Sequence, residues 1–575
     1  MSLPKHWLIT PAVEADILRR YRGMSLVLAQ VLYNRGLTEP GEAYNFLNAD
    51  DPVSGGLLRI KGKKPSIDKA VSRIRRAIKQ KELIVVYGDF DADGVTSTVL
   101  LVQALKALGA NVHAYIPHRV DEGYGLNSEA LLKLARKGVK LVITVDCGIR
   151  SVEDVEDGKS YGLDIIITDH HSVGADIPDA LAVINPKMTD AEYSEDMLAG
   201  VGVAYRLAEA LFTVEAGSRN SNLSMTVDDL LDLVAIGTVA DLVPMNRQEN
   251  RALVKRGLEV LNRTQRPGLR ALINVAGLKM GSISAINIGF GIGPRINAAG
   301  RLETAMIAYE LLSTTDERKA EELAAQLHGL NTQRQELTRA TQDYIRDRLD
   351  DATALPLIFA SDRNFKPGIV GLVAGRLVEE YFRPAIVMEE GDEESRASCR
   401  SIPQFDITHA LDQCATLLVR HGGHAQAAGF TVRNENVTVL REKLMDIART
   451  ALDGQDLAPT LEIDMELKAW DVTLGLAEEL LRLEPTGHGN PTATFMTRNL
   501  RVQDYRTVGR DENHLKLKLA QASAPPLDAI GFNLGEWARQ MPPYVDLAYQ
   551  LEINEWNGNR SAQMNLLDIR PAGGR

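Results

Sequence analysis

The chain has 575 residues, a formal charge of −12, 45% hydrophobic and 25% charged positions, and three cysteines. This length exceeds one ordinary domain several-fold, so three or four domains are expected, each able to bury its own core. The acidic balance excludes a generally basic nucleic-acid coat, although local basic grooves leave a DNA partner open, and Cys147, Cys399 and Cys414 form no CxxC pair, which excludes a disulfide framework and a zinc knuckle.

Residues 1–50 read as a helical segment. The opening MSLPKHWLIT lacks a long apolar core and no stretch approaches about 18 apolar residues, so a soluble, cytoplasmic protein without a membrane partner is expected. From about residue 80, short Val/Ile-rich runs alternate with helical patterns: LIVVYGD (83–89), a helix through STVLLVQALKAL, VHAYI, the helix NSEALLKLARKG, KLVITVD (140–146), DIIITDH (164–170) and LAVINP (181–186). Near-continuous apolar strands separated by helices predict an α/β domain, a doubly wound parallel sheet covered on both faces. Then comes STTDERKAEELAAQLHGLNTQRQELTRATQDYIRDRL, without proline, with a Thr314–Glu317 capping box and an apolar stripe at Leu323, Leu327, Leu330, Leu337 and Tyr344. One helix there would span roughly 50 Å and bridge two domains across a cleft; a helical hairpin interrupted at Gly329 is the alternative. A second α/β segment runs from about 355 to 455. Beyond it HLKLKL (514–519) and LAYQLEI (547–553) alternate with period two, as the strands of a small barrel or sandwich do.

Parallel sheets bind ligands at the carboxyl ends of their strands, and polar residues gather there. Asp89, Asp91 and Asp93 occupy three of five positions; Asp146 and Asp169-His170-His171 end two later strands, and Asp241 ends the apolar run LVAIGTVAD. Carboxylates this close push one another toward protonation unless a cation sits among them. Oxygen and imidazole donors without thiolate favour Mn²⁺ or Mg²⁺ over structural zinc. So many donors exceed the needs of one catalytic ion, whereas two ions about 3.5–4 Å apart would use them all and suit phosphoester hydrolysis. Taken singly the pieces have plainer readings. Asp89 suits a helix cap or a structural hydrogen bond, Cys147 a small buried position, GGH (422–424) a turn, and LAGVGVAYRLAEAL (198–211) a tight helix start without any ligand.

In their order and spacing, DFDADG, VDCG, TDHH and GTVADLVP resemble motifs I to IV of the DHH phosphoesterase superfamily. HRVDEGYG (118–125), IGPRINAAGRL (292–302), GGHAQAAGF and the C-terminal strands narrow the resemblance to the superfamily's bacterial single-strand-specific 5′ to 3′ DNA exonucleases. The resemblance covers nearly the whole chain. It implies an N-terminal helical segment (1–50), a DHH catalytic domain (51–312), a connecting helix (313–351), a DHHA1 substrate-binding domain (352–455) and an oligonucleotide-binding (OB) barrel (456–575). It also implies that Asp91, Asp93, Asp146, His170 and Asp241 hold two Mn²⁺ or Mg²⁺ ions. Asp146 would bridge them, Asp91 would lie on one, and Asp93, His170 and Asp241 on the other. His171 would face the scissile phosphate and Asp89 would support the ligands from behind.

For DNA, the resemblance implies phosphate binding by Arg119, base stacking by Tyr124, backbone contacts by Arg301 with Arg295 or Asn297, and a 5′-phosphate pocket of Ser398 and Arg400 shaped by His424. Its implied setting is recombination and repair, beside a helicase and a single-stranded-DNA-binding protein, with the enzyme a monomer. The chain departs from the pattern at Cys399, where glycine is usual, at Phe365-Lys366, where Trp-His is usual, and at Thr486, where phenylalanine is common. None touches a metal ligand. Rival readings are a DHH enzyme for short oligonucleotides or small phosphoesters, and a non-catalytic scaffold. The barrel's basic residues Arg501, Arg506, Arg510, Lys516 and Lys518 weigh against the first, and the complete ligand set against the second.

Overall fold

The computed structural model describes residues 3–53, 65–119, 121–188, 196–217, 225–349, 354–522 and 524–573. The chain divides into two compact units: Asn45–Arg334 with Glu484–Pro491, and Met1–Tyr44 with Gln335–Leu483 and Thr492–Arg575.

The first unit is built on five parallel strands, β1 (Leu83–Tyr87), β2 (Asn111–Tyr115), β3 (Val139–Val145), β4 (Asp164–Thr168) and β5 (Ala182–Ile184), in spatial order β2-β1-β3-β4-β5. Alternate residues of β1 enter two separate cores: Ile84 and Val86 pack on one face of the sheet, Val85 and Tyr87 on the other. That is why the run reads as continuously apolar instead of alternating. The first face is covered by α1 (Pro65–Gln80) and α2 (Ala92–Ala107), and the opposite face by α3 (Ser128–Arg136) and α4 (Val152–Ser160). The doubly wound α/β expectation therefore holds. Two further helices, α5 (Gly200–Ala216) and α6 (Leu231–Ala240), join the first core. Leu233, Val234, Ala235 and Ile236 of α6 are all fully buried, as in a helix apolar on every side. Asp241 thus comes off a helix end, unlike the strand-borne donors.

Helix α7 (Gly293–Leu302) leads toward the long α8, which is a single helix, Glu317–Arg346, about 45 Å long. The hairpin alternative is excluded because Gly329 lies unbroken within it. Its cap differs from the expected box: the Asp316 side chain accepts the Lys319 N–H at 3.0 Å, while Thr314 accepts the N–H of Asp316 at 3.2 Å. Leu327 and Leu330 are buried, and the chain passes from the first unit to the second within this helix, between Arg334 and Gln335.

In the second unit, β6 (Ile358–Asp362), β7 (Ala385–Glu389), β8 (Glu394–Arg400), β9 (Leu418–His424) and β10 (Ala427–Arg433) form a sheet of order β9-β10-β8-β7-β6, in which only β6 and β7 run parallel. Helix α9 (Pro367–Tyr381) packs against β7 and β8. The C-terminal strands β11 (Thr494–Val508), β12 (His514–Ala520), β13 (Leu527–Gly531), β14 (Tyr544–Trp556) and β15 (Asn559–Pro571) close into a ring, β11-β12-β13-β15-β14 and back to β11. Leu515, Leu517 and Leu519 point inward, and Lys516 and Lys518 alternate with them. The expected barrel is present.

The N-terminal segment departs from the helical expectation. Before its helices Ala15–Leu18, Leu26–Asn34 and Pro40–Asn48, residues His6–Ile9 form a strand paired in parallel with Thr460–Ile463. A four-residue strand needs a distant partner, and no local period announces one. Among the described residues no helix is long and apolar enough to cross a membrane.

Candidate metal centre

The loop after β1 turns directly into α2, and Asp91 caps that helix: its Oδ1 accepts the N–H groups of Asp93 (2.9 Å) and Gly94 (3.0 Å). The first amides of a helix have no intrahelical acceptor, so an aspartate here is held firmly while its second oxygen stays free for another partner. Asp93 is 1% exposed and lies against the start of α5, where the N–H groups of Gly200 (2.7 Å) and Val201 (2.8 Å) donate to its two oxygens. The LAGVGVA stretch, read as a plain helix start, orients a predicted ligand. Gly200 is required by close approach, since a Cβ there would stand 2.7 Å from Asp146 Cβ and 2.8 Å from Asp146 Oδ1. Asp146 itself follows β3 in a left-handed backbone, φ +61°, a strained geometry for a non-glycine residue that is concentrated at functional sites.

His170 enters from the end of β4. Its Nε2 lies 3.0 Å from Asp146 Oδ1, 3.6 Å from Asp241 Oδ2 and 3.8 Å from Asp93 Oδ2. Three donor groups result, each with its donor atoms within 4.8 Å of one another: Asp93–His170–Asp241, Asp89–Asp91–Asp146, and Asp146–His170–His171. The first is the set expected for one ion. The second brings Asp89, read as a support for the ligands, within reach of Asp91 and Asp146. All five predicted ligands converge, with Asp146 common to two groups.

The residues fit divalent cations. Asp89 Oδ1, Asp146 Oδ1 and His170 Nε2 are buried without a hydrogen-bond partner, an arrangement that costs free energy unless something else satisfies them. Burial, and then the neighbouring carboxylates, push Asp93 up to about 7 and Asp241 up to about 9, and raise Asp89 and Asp146 well above the usual range. Burial first, then the His171 charge, lowers His170 to about 3, so its ring is a neutral donor at physiological pH. The protein alone cannot keep these carboxylates ionised together. Bound divalent cations reverse that balance, and the all-oxygen-and-imidazole set suits Mn²⁺ or Mg²⁺.

Asp169, named in the sequence only as part of the cluster, has a specific task. Its carboxylate accepts four N–H groups: the backbone amides of Ile149 (2.9 Å), His170 (2.7 Å) and His171 (3.0 Å), and the His171 ring at Nδ1 (2.8 Å). Burial is the largest influence on the His171 pKa and lowers it, but the bond to Asp169 together with the charges of Asp169, Asp93 and Asp91 outweighs burial and raises it. The Tyr124 hydroxyl lies 3.1 Å from the same ring nitrogen. Asp169→Ala is expected to reduce turnover about 10- to 100-fold, the usual effect of losing a group that orients a ligand or catalytic side chain. It should also destabilise the fold by about 1–3 kcal/mol through the orphaned amides. Steady-state rates and a urea melt measure both.

The remaining predicted residues fall into two places. Near the cluster, the Arg119 guanidinium lies 3.9 Å from the centroid of the Phe90 ring and its Nε is buried without a partner, while Tyr124 is 55% exposed. Asn297 Oδ1 accepts the Ala92 N–H at 2.7 Å, and a Cβ at Gly300 would meet the Phe90 carbonyl oxygen at 2.4 Å. The INAAGR segment, read as DNA-contacting, thus presses α7 onto the metal-binding loop. Arg295 Nη1 donates to the Gly291 carbonyl (2.7 Å), and Arg301 is half-buried in the last turn of α7.

Ser398, Arg400 and His424 lie in the other unit. Ser398 and Arg400 share one face of β8, and α9 crosses closely enough that a Cβ on Gly371 would stand 3.3 Å from both Ser398 Oγ and Arg400 Nη2. Cys399 points to the opposite, fully buried face, where burial pushes its thiol up to about 12; the departure from glycine therefore falls in the core. Phe365 is also buried, edge-on to Tyr344 at 5.8 Å, and buried Thr486 donates its backbone N–H to Glu484 Oε2 at 2.9 Å. His424 is exposed at the end of β9. On the barrel, Arg506 pairs across the strands with Lys516, and Lys518 with Asp504.

Comparison with known proteins matches three family models in the order of the fold: "DHH family, N-terminal domain" over residues 83–238, "DHHA1 domain" over 354–450 and "RecJ OB domain" over 463–568. The single-stranded-DNA-specific exonuclease RecJ of Bacillus subtilis is 38% identical over 550 residues, covering 94% of this chain and 67% of that protein. RecJ of Escherichia coli is 35% identical over 529 residues, 88% of this chain and 90% of that one. The crystal structure of Thermus thermophilus RecJ in complex with Mn²⁺ superposes with a TM-score of 0.83 at 29% identity, covering 99% of this chain and 80% of that chain. Identities of 38% and 35% over 94% and 88% of its length, together with the three domain models matched in the order of the fold, show that the chain belongs to the RecJ family.

Proposed function

We infer that the protein is a Mn²⁺- or Mg²⁺-dependent exonuclease that degrades single-stranded DNA from the 5′ end, releasing 5′-mononucleotides by two-metal phosphodiester hydrolysis in recombination and repair. The observation that carries this reading is the complete donor set, three groups linked through Asp146 and His170, each of which belongs to two of them, in a chain whose relatives are single-stranded-DNA-specific exonucleases. Asp91, Asp93, Asp146, His170 and Asp241, with Asp89, would hold the ions. Once bound, they supply Lewis-acid activation of water and neutralise charge on the phosphate.

The protein's own residues set the geometry. The α5 amides hold Asp93, the α2 amides hold Asp91, and Asp146, in its left-handed backbone, faces His170 Nε2 with Oδ1. His171, held by Asp169 and 42% exposed on its side chain, is positioned to donate a hydrogen bond to the phosphate as charge develops there. Arg119 offers a buried guanidinium with an unused N–H, a suitable phosphate partner, and Tyr124 an exposed ring for a base.

Ser398 and Arg400 form a 5′-phosphate receptor in this reading, with His424 beside it and Arg295, Asn297 and Arg301 serving the strand or the loop it meets. The domain division 1–50, 51–312, 313–351, 352–455 and 456–575 assigns hydrolysis to the second segment, 5′-end binding to the fourth and strand tracking to the barrel. A barrel with outward cations on adjacent strands favours a polymer over a small phosphoester. A helicase and a single-stranded-DNA-binding protein are the natural partners of such a cytoplasmic enzyme, acting as a monomer.

The test uses single strands and duplexes labelled at either end. Mononucleotides should appear from the 5′-labelled single strand first, only with Mn²⁺ or Mg²⁺, and not with EDTA. Digestion starting at the 3′ end, or equal digestion of blunt duplex, overturns the reading.

A further inference from the structure

The rim beside Asp241 carries an apolar surface that the metal centre does not use. Leu242, next in sequence and in a left-handed backbone (φ +59°), is 69% exposed, and Phe290 is 84% exposed. Phe290 sits on a π-helical turn, Ile288–Ile292, that runs into α7; Ile288 and Ile292 fill the core while Phe290 stands out from it. Such turns are rare and frequent at functional sites. This one lies on the C-terminal end of α6. A Cβ on Gly289 would be 4.0 Å from Val239 Cγ1, and one on Gly293 3.3 Å from Ala240 Cβ, the residue immediately before Asp241.

The turn is also braced. Arg295 Nη1 donates to the Gly291 carbonyl (2.7 Å), its Nε donates to His328 Nδ1 (3.3 Å), and Asn297 ties the following helix to the metal-binding loop. A large aromatic ring exposed to water on a braced turn forgoes the stabilisation of burial. Exposed on a turn that packs against a donor-bearing helix end, where Leu242 is exposed as well, the ring marks a binding surface.

We propose that Phe290 is a stacking platform for a base of the single strand engaged at the metal centre; this rests on the exonuclease reading. The packing of its turn against Val239 and Ala240, just before the donor Asp241, selects nucleobases as its occupant. A π-face accepts any base, which an exonuclease must do at every step, and it accepts only an unpaired base, because in a duplex both faces are already stacked. Phe290 thereby adds to strand selectivity without reading sequence.

The Mn²⁺-loaded full chain is compared as wild type, Phe290→Ala and Phe290→Trp. Substrates are a plain single strand, one with abasic sites near its 5′ end, and one with 2-aminopurine there. Stacking predicts that Phe290→Ala raises KM about tenfold, far more than any fall in kcat, and loses quenching of 2-aminopurine. Phe290→Trp should restore both, and the KM effect should vanish on the abasic strand. An unchanged KM, or an equal rise on the abasic strand, overturns the platform. So does a Phe290→Ala variant whose only change is from dimer to monomer in light scattering, since the patch would then pair copies of the chain. Binding is read separately from turnover: a wild type that quenches the probe through Phe290 without digesting it supports the platform and sinks the exonuclease reading instead.

Discussion

Asp146→Ala is expected to lower kcat on single-stranded DNA by on the order of 1,000-fold or more while single-strand binding stays measurable. Asp146 contributes to two donor groups and its Oδ1 faces His170 Nε2 at 3.0 Å, so one truncation removes a ligand from both sides of the cluster. Removal of a single transition-state donor commonly costs a factor of 10²–10³, and loss of a shared metal ligand exceeds that. A second effect opposes it in the metal-free protein. Asp146 is raised well above the usual carboxylate range by burial and by Asp93, Asp91, Asp89 and Asp241, so its charge destabilises the apo fold. Asp146→Asn, which tolerates the left-handed backbone better than alanine, should therefore melt higher than wild type in EDTA and gain less from added Mn²⁺. Single-turnover rates and thermal melts with and without metal test both parts. Near-normal turnover in the alanine variant would remove Asp146 from its shared role.

The contrast between what the sequence discloses and what it hides follows from how far each signal travels along the chain. Strands β1, β3 and β4 are legible because both faces are buried and the apolar run is local, and the donors at their ends stand out because Asp and His directly after such runs are uncommon in a plain core. The barrel strands show through Leu515, Leu517 and Leu519 alternating with lysines. Asp241 is legible as a donor, but its helix reads only as an apolar run, since α6 is buried on every side and has no amphipathic period. The His6–Ile9 strand is not legible because its partner is more than 450 positions away.

The same limit hid the groups that tune the site. Nothing near Asp93 announces that two amides of α5 hold it, and nothing in INAAGR distinguishes a DNA contact from Asn297 bonding to the Ala92 amide. Asp169 had the best available signal, a carboxylate one residue from two histidines, but its role depends on a ring orientation that spacing does not encode. The roles implied for Ser398, Arg400 and His424 came from resemblance alone. The local pattern there shows only that Ser398 and Arg400 alternate with a core-facing Cys399.

Gly200→Ala tests whether the α5 start is part of the metal centre, and it is expected to lower Mn²⁺ affinity and kcat together, about 100-fold or more. Two effects compete. Alanine replaces glycine favourably in a helix, by about 0.5–1 kcal/mol where space is open. At Gly200 the space is closed: the new Cβ would stand 2.7, 2.8 and 2.9 Å from Asp146 Cβ, Oδ1 and Cγ. Distances under 3 Å force a displacement, and overpacking of this kind costs about 1–3 kcal/mol, so the steric effect wins. Either displacement damages the centre. If α5 retreats, the Gly200 and Val201 amides leave the oxygens of Asp93; if Asp146 rotates, its carboxylate leaves the position facing His170. Gly329→Ala, inside α8 with nothing within 4 Å of its Cβ position, is the matched control. It should stabilise the fold by about 0.5–1 kcal/mol with metal binding and turnover unaltered. Mn²⁺ titration calorimetry on both variants, with a denaturant melt of each, separates the outcomes. Full Mn²⁺ affinity in a folded Gly200→Ala protein would mean that Asp146 does not hold its metal where α5 pins it.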